Sequence, residues 1–326
     1  MSRRYIIVCA LIVFAFGSAA SGCSSPSNPT LVSHAGAADR QRITQSVGSW
    51  TTKAPIPTAR YLLAAGVISG NFYAIGGDNG TGRGLNTVEA YNTATDTWTT
   101  KAPMPTARFG LAVGGGNGKL YAVGGYNGNY LSTAEAHKPA TDTWTAKASM
   151  PTSRVNLAVG MINGKLYAVG GYNGSYLSTV EAYDPTSNTW TTKASMPTAR
   201  EFLAVGVVDS ILYAVGGYNG DSLNTVEAYD PSTNTWSAKA FMPTAREGLS
   251  ASVLGRDLFS VGGTDGGHTL NTVEAYDPAT NTWTTKASMP TARFSLATRV
   301  AGRKLYAVGG FTGNNYLNTV EAFSKD

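Results

Sequence analysis

The chain has 326 residues, of which 38 are glycine and only 14% are charged, and its formal net charge is +5. The charges are spread along the chain and form no long runs, so the composition does not indicate nucleic-acid binding. Beyond the N-terminal segment, short runs alternate apolar and polar residues, Asn-Gly pairs interrupt them, and no helical apolar stripe is sustained. This pattern predicts an all-β protein.

The first 22 residues have the features of a secretory signal peptide. Arg3 and Arg4 precede an apolar run from Tyr5 to Phe16, which is short for a membrane span, and small residues follow. The segment Ala20-Ser21-Gly22-Cys23 resembles a bacterial lipobox, although Ala20 stands where leucine is usual. The resemblance implies a lipoprotein-type signal over residues 1–22 and lipidation of Cys23.

Two observations favour lipidation of Cys23 over an ordinary cleaved signal that leaves a free thiol. Cys9 is the only other cysteine and lies in the segment that would be removed, so Cys23 would have no disulfide partner. Residues 23–46 are rich in Ser, Pro and Ala, which is typical of a flexible tether. We therefore expect an exported protein, anchored in the bacterial envelope through Cys23, or secreted where the lipobox is not used.

Residues 47–326 repeat one sequence unit six times. The six tryptophans form a single column with a spacing of 46 to 48 residues, and Gly-Gly pairs that follow an apolar strand recur at the same spacing. Each unit contains four short predicted strands, such as "FLAVGVV", "ILYAVGG", "NTVEAYD" and "TWSAKA", which we name A to D from the inside outwards. A repeat of this length with four strands indicates a β-propeller.

The unit resembles the Kelch repeat, because a strand that ends in Gly-Gly precedes a Tyr and a Trp separated by six residues, as in Tyr183 and Trp190. The resemblance covers residues 47–326 and implies a six-bladed propeller of four-stranded antiparallel blades. The repeats begin with a lone strand D that contains Trp50 and end with a strand C. We therefore expect the N-terminal strand to complete the last blade by pairing around Val320 to Phe323.

In such a propeller the D–A and B–C loops share one face, which carries most of the candidate binding residues. Each D–A loop ends in an arginine, and Kelch adaptors use arginines at the matching loop to hold acidic peptides. The resemblance thus implies an anion-binding rim, whereas the alternative is that each arginine pairs with the strand-C glutamate of its repeat and braces the blades. The arginines are Arg60, Arg108, Arg154, Arg200, Arg246 and Arg293, and the glutamates are Glu89, Glu135, Glu181, Glu227, Glu274 and Glu321.

The B–C loops of the second, third and fourth repeats add a Tyr-Asn pair to the same face. Aromatic rings cover the apolar faces of sugars and amides orient hydroxyl groups, so these pairs are candidate ligand contacts. The alternative is that Asn-Gly shapes the turns and the tyrosines pack the loops. The residues are Tyr126, Tyr172 and Tyr218, with Asn127, Asn173 and Asn219.

The position after each arginine differs among the repeats. It is apolar or aromatic in four of them and acidic in two neighbouring ones, as Glu201 and Glu247. These two carboxylates are the candidate catalytic groups if the chain is an enzyme, since a general acid or base near a sugar's anomeric centre suits isomerisation.

Other chemistry finds little support in the composition. Galactose oxidase has a related propeller, but its copper site needs a Cys-crosslinked Tyr, and no Cys follows Cys23. No group of His, Cys, Asp or Glu residues in the sequence has the spacing typical of metal ligands, so we predict that the protein uses neither a metal nor a cofactor.

The sequence therefore predicts a monomeric interaction module, a binder in preference to an enzyme, that recognises a glycan or protein partner at the D–A/B–C face. One alternative is a cofactor-free carbohydrate isomerase or mutarotase acting on an acidic sugar, because exported bacterial sialic-acid mutarotases share the architecture. The other is a structural envelope scaffold.

Overall fold

The computed structural model describes residues 47–325, and they form an all-β, six-bladed propeller. The predicted signal peptide, the lipidation site at Cys23 and the tether over 23–46 lie outside the described residues. None of the described residues form a helix, and so none form one that is long and apolar enough to cross a membrane.

The chain begins with one strand and then builds blade after blade. The first strand is β1 (Ser49–Lys53). Blade 1 consists of β2 (Ala64–Ile68), β3 (Asn71–Ile75), β4 (Val88–Asn92) and β5 (Thr97–Thr100). Blade 2 consists of β6 (Ala112–Gly116), β7 (Lys119–Val123), β8 (Ala134–Lys138) and β9 (Thr143–Lys147). Blade 3 consists of β10 (Ala158–Ile162), β11 (Lys165–Val169), β12 (Val180–Asp184) and β13 (Thr189–Lys193).

The second half repeats this order and closes the ring. Blade 4 consists of β14 (Ala204–Val208), β15 (Ile211–Val215), β16 (Val226–Asp230) and β17 (Thr235–Ala238). Blade 5 consists of β18 (Ser250–Leu254), β19 (Asp257–Val261), β20 (Val273–Asp277) and β21 (Thr282–Thr285). Blade 6 consists of β22 (Ala297–Ala301), β23 (Lys304–Val308) and β24 (Val320–Ser324), together with β1.

The predicted closure of the ring is confirmed. Strand β1 pairs antiparallel with β24, with Trp50 opposite Phe323 and Lys53 opposite Val320. The pairing removes the open edge that β24 would otherwise present to other chains.

Each blade is an antiparallel meander, and the innermost strands A contact one another around the axis. Asn117 and Gly118 connect A to B in blade 2 with φ of 53° and 69°, as a two-residue hairpin requires. Small residues in strand A allow the six strands to crowd together, while the outer strands D are mostly exposed, as expected. The hydrophobic core therefore lies between adjacent blades and not inside any one of them.

The tryptophan column links each blade to the preceding one. Trp190 packs against Tyr183 with ring centroids 5.1 Å apart, and its Nε1 donates a hydrogen bond to the Ala148 carbonyl at 2.7 Å. The other five tryptophans donate to the equivalent carbonyls, including Trp50 to Ala287. This explains why all six tryptophans of the chain occupy one position of the repeat.

Candidate functional site

The six arginines of the D–A loops lie in the interior and not on the rim. Each has no exposed surface, and each guanidinium forms an ion pair with the strand-C glutamate of its own blade. The N–O distances are 2.5–2.8 Å in blades 1 to 5. The arginines therefore have the bracing arrangement that the sequence offered as the alternative, and the site described below does not use them.

Arg200 shows how the pair joins two blades. Its guanidinium binds Glu227 at 2.7 Å within blade 4, while its backbone carbonyl accepts a hydrogen bond of 2.9 Å from Gly171 of blade 3. Burial lowers the pKa of Arg200 to about 10, and the charge of Glu227 opposes this effect. The pair is a structural clasp, because its charges are satisfied internally and are hidden from any ligand.

The accessible part of this face carries a continuous arc of aromatic rings across blades 2 to 4. Tyr126 and Tyr172 belong to the arc, and Tyr130 and Tyr176 connect the loops. Consecutive ring centroids lie 5.4–5.9 Å apart in tilted or edge-to-face arrangements. In order, the arc consists of Phe109, Tyr126, Tyr130, Tyr172, Tyr176 and Tyr218. The structure thus brings the three predicted tyrosines together and adds three rings, Phe109, Tyr130 and Tyr176, that were not among the predicted site residues.

A second, shorter aromatic group lies on blades 6 and 1. Phe294 packs on Phe311, which in turn packs on Tyr316 with centroids 4.9 Å apart. Tyr61 contacts both Phe311 and Tyr316. Blade 5 has Glu247 and Thr264 at the corresponding positions, so the aromatic surface is interrupted at that blade.

The three predicted asparagines contribute mainly to the turns that carry the tyrosines. Asn127, Asn173 and Asn219 each donate their backbone N–H to a carbonyl two residues further on, at 3.3 Å. Their side chains form no hydrogen bond with the described residues and are accessible, so they border the arc.

Glu201 and Glu247 form an acidic pair at the end of the arc. Isolated backbone bridges join Glu201 to Tyr218 and Glu247 to Thr264, which places both at the junction of the D–A and B–C loops. The Asn156 Nδ2 donates to the Glu201 carboxylate at 2.8 Å. Asn156 was not among the residues that the sequence assigned to the site.

The environment of the pair raises both carboxyl pKa values. Burial raises the pKa of Glu201, and the hydrogen bond from Asn156 partly opposes this. Burial also raises the pKa of Glu247 to about 7, and the nearby charge of Glu201 adds to the effect. Near neutral pH, Glu247 can therefore either donate or accept a proton, and it can accept hydrogen bonds from ligand hydroxyl groups.

The residues that stand two positions after the D–A loop arginines, one in each blade, form a closed belt around the central channel. All six residues have φ between 51° and 60°, and each donates its backbone N–H to the carbonyl of the preceding member at 2.7–3.0 Å. The left-handed conformation turns each N–H towards the neighbouring blade, which explains why Gly occurs twice and Asn once. The channel belt consists of Leu62, Gly110, Asn156, Phe202, Gly248 and Ser295.

Two cavities occupy the channel inside the belt. One of about 120 Å³ is lined by the channel belt and by the first residues of the innermost strands. The other, of about 290 Å³, lies further along the same strands, and Arg299 lines both. The sequence analysis missed Arg299, although a comparison of the third positions of strands A would have found it. Among residues 47–325, no cluster of His, Cys, Asp or Glu has the arrangement of a metal site.

Comparison with known proteins agrees with this architecture. The Kelch motif matches residues 59–105, 107–151, 153–197, 199–242, 245–290 and 292–326. No curated protein matches the chain. A solved structure of YjhT is similar in fold, with a TM-score of 0.71 and 15% sequence identity over 82% of this chain and 95% of that one. Six consecutive matches show that the chain belongs to the Kelch-motif family, whose propellers are in general interaction modules.

Proposed function

We propose that the loop face is a non-catalytic binding surface for a glycan, which lies along the aromatic arc and hydrogen-bonds to the acidic pair at its end. The observation that carries the proposal is the uninterrupted row of rings from Phe109 to Tyr218 beside Glu201 and Glu247. Partly exposed aromatic faces suit the apolar faces of sugar rings, and carboxylates accept hydrogen bonds from sugar hydroxyl groups.

The same surface favours a neutral glycan over an acidic one. The arginines that would have bound a carboxylate are buried against their glutamates, whereas Glu201 and Glu247 lie beside the arc. An acidic sugar would place like charges together in a partly desolvated site, which is unfavourable.

The test is calorimetry of the full chain against a panel of neutral oligosaccharides, uronic and sialic acids, and acidic peptides. We expect a neutral oligosaccharide to bind and Tyr172→Ala to weaken that binding by roughly tenfold. Tyr172→Phe retains the ring and should retain most of the affinity. Phe241 is 65% exposed and makes no ring contact within the described residues, so Phe241→Ala is a matched control. Binding only of acidic peptides, or equal affinities in Tyr172→Ala and the wild type, would refute the glycan proposal.

The raised pKa of Glu247 favours a second candidate, a cofactor-free sugar isomerase or mutarotase. A carboxyl group that titrates near pH 7 suits proton transfer at an anomeric centre. Magnetisation-transfer NMR of reducing sugars, neutral and acidic, distinguishes the two functions. If the chain is an enzyme, the wild-type protein should accelerate exchange between the anomers and the Glu247→Gln variant should not. If it is a binder, both proteins should slow the exchange or leave its rate unchanged.

We also propose that the chain is exported and attached to the bacterial envelope through a lipid at Cys23. The support is the sequence Ala20-Ser21-Gly22-Cys23 and the absence of any cysteine after it. Mass spectrometry of the protein from membranes should detect a diacylglyceryl group on Cys23, and Cys23→Ser should release the chain from the membrane fraction.

A further inference from the structure

Arg299 stands where the propeller is otherwise built from the smallest residues. It is the third residue of β22, and the equivalent residue of the other innermost strands is glycine four times and serine once. These residues are Gly66, Gly114, Gly160, Gly206 and Ser252. An arginine at this position has no room between blades, so its side chain occupies the channel, where it lines both cavities.

The guanidinium of Arg299 has no carboxylate partner among residues 47–325. Its Nη1 donates to the Thr298 carbonyl at 2.9 Å, and its Nη2 donates to the Val113 carbonyl at 2.8 Å. Val113 belongs to blade 2, so the side chain reaches from blade 6 past blade 1. Since a guanidinium has five N–H donors, most of them remain available to a channel occupant.

Arg299 differs electrostatically from the six clasp arginines. Each clasp arginine is held against a buried glutamate, whereas Arg299 has only two neutral carbonyl acceptors. Burial lowers the pKa of Arg299 to about 10 with no opposing charge, and the group still carries its positive charge at neutral pH. A desolvated charge without a counterion is costly, and an anion in the channel would remove that cost.

Hydroxyl groups also replace apolar residues near Arg299. Thr298 Oγ1 lies 2.9 Å from Ser250 Oγ and 3.0 Å from Ser252 Oγ, and the equivalent residues in blades 1 to 4 are Ala, Val or Gly. Ser250 lines the cavity below the channel belt and Ser252 lines the other one. Ser250 and Ser252 of blade 5 thus place two hydroxyl groups at the channel wall, whereas Thr298 is fully buried, lines neither cavity and contacts both serines.

We propose that the central channel binds a small oxyanion, such as inorganic phosphate or a carboxylate, at Arg299 with support from the hydroxyl groups of Ser250 and Ser252 on blade 5. The site is distinct from the glycan surface, because it uses none of the arc residues and lies inside the channel belt. Oxyanions match the fork of a guanidinium, and both cavities admit only small ones.

The test uses the full chain in a chloride buffer, with inorganic phosphate and acetate as probes. Calorimetry and thermal unfolding should show saturable phosphate binding, and Arg299→Gln should weaken it by about tenfold or more. Arg83 is the exposed arginine of a B–C loop, so Arg83→Ala is the matched control and should bind phosphate like the wild type. Acetate that competes with phosphate would indicate one shared site.

A second variant keeps the proposal refutable if Arg299→Gln folds poorly. Arg299→Gly installs the residue of four other blades, so the fold accommodates it. We expect this variant to be at least as stable as phosphate-free wild type and to lose the phosphate-dependent rise in melting temperature. No phosphate binding by the wild type, or equal binding by the wild type and both Arg299 variants, would overturn the proposal. Phosphate-free Arg299→Gly that is markedly less stable than the wild type would show that Arg299 is a structural plug and would overturn it too.

Discussion

Glu247→Gln should change the pH dependence of stability in a way that the acidic pair dictates. The pKa of Glu247 is raised from 4.5 to about 7 by burial and by the charge of Glu201. The folded state therefore holds this proton more tightly than the unfolded chain does. The resulting stability is fully present below pH 4.5 and is lost as the pH rises through 7.

The size of the effect follows from the shift and from the exposure of the side chain. A shift of this size corresponds to about 3 kcal/mol at most, since one pKa unit is equivalent to about 1.4 kcal/mol. Glu247 is only partly buried, so solvent screening reduces the expected effect to about 1–2 kcal/mol. Glutamine is nearly isosteric with protonated glutamate. The variant should thus match the wild type near pH 4.5 and exceed its stability by about 1–2 kcal/mol at pH 8.

The assay is urea unfolding followed by tryptophan fluorescence at several pH values from 4.5 to 8. Glu201→Gln provides an independent check, because removing its charge should move the midpoint of the wild-type pH profile downwards. A Glu247→Gln stability curve that runs parallel to the wild-type curve over the whole range would show that Glu247 ionises normally. That result would refute the raised pKa of Glu247 and, with it, the isomerase candidate.

The remaining predictions concern the scaffold. Arg200→Met should lower the free energy of unfolding by about 3–5 kcal/mol, because it leaves the buried Glu227 without its ion-pair partner. The double variant Arg200→Met/Glu227→Met should recover much of this loss. Urea titrations in which the double variant is no more stable than the single one would contradict the clasp. Ser295→Gly should gain about 1 kcal/mol by relieving a φ of 51°, and Gly248→Ser should lose a similar amount, both measured by urea unfolding. A gain from Gly248→Ser would argue against backbone strain in the channel belt. Deleting residues 47–53 exposes the edge of β24. We therefore expect a lower melting temperature in calorimetry and self-association in light scattering. An unchanged melting temperature would mean that β1 does not stabilise the closed ring.

The architecture was predictable because the same sequence pattern occurs in six repeats. The Trp column gives the period, and the lone N-terminal strand D with Trp50 predicts a pairing that the structure confirms against Phe323. Period-two patterns place the strands to within two residues at either end, since tight Asn-Gly and Gly-Gly turns leave little freedom in register. Six copies of one pattern average out the local ambiguity that limits the assignment of a single strand.

The site was only partly predictable, because a repeat does not reveal which way a loop side chain turns. The clasp arginines are polar loop residues and would ordinarily be exposed, yet Arg200 turns inwards to meet Glu227. The sequence did contain an indication of this pairing. Each repeat has one such arginine and one strand-C glutamate, so an internal ion pair can form in every blade. The sequence could not show that Tyr130 and Tyr176 join the arc, because their contacts cross from one B–C loop to the next.

The two proposed sites both depend on positions that depart from the repeat. A residue that recurs in all six blades has the same structural role six times. A residue that differs from the repeat in one blade does not have that role there, and the surrounding structure must accommodate it. Glu201 and Glu247 replace apolar or aromatic residues beside the channel belt, and Arg299 replaces glycine within the channel. Burial raises the pKa of both glutamates and lowers the pKa of Arg299, so it disfavours the charged form of each side chain. The glutamates and Arg299 have opposite charges and belong to different parts of the fold, so the proposed neutral ligand on the arc and the proposed anion in the channel would use different groups.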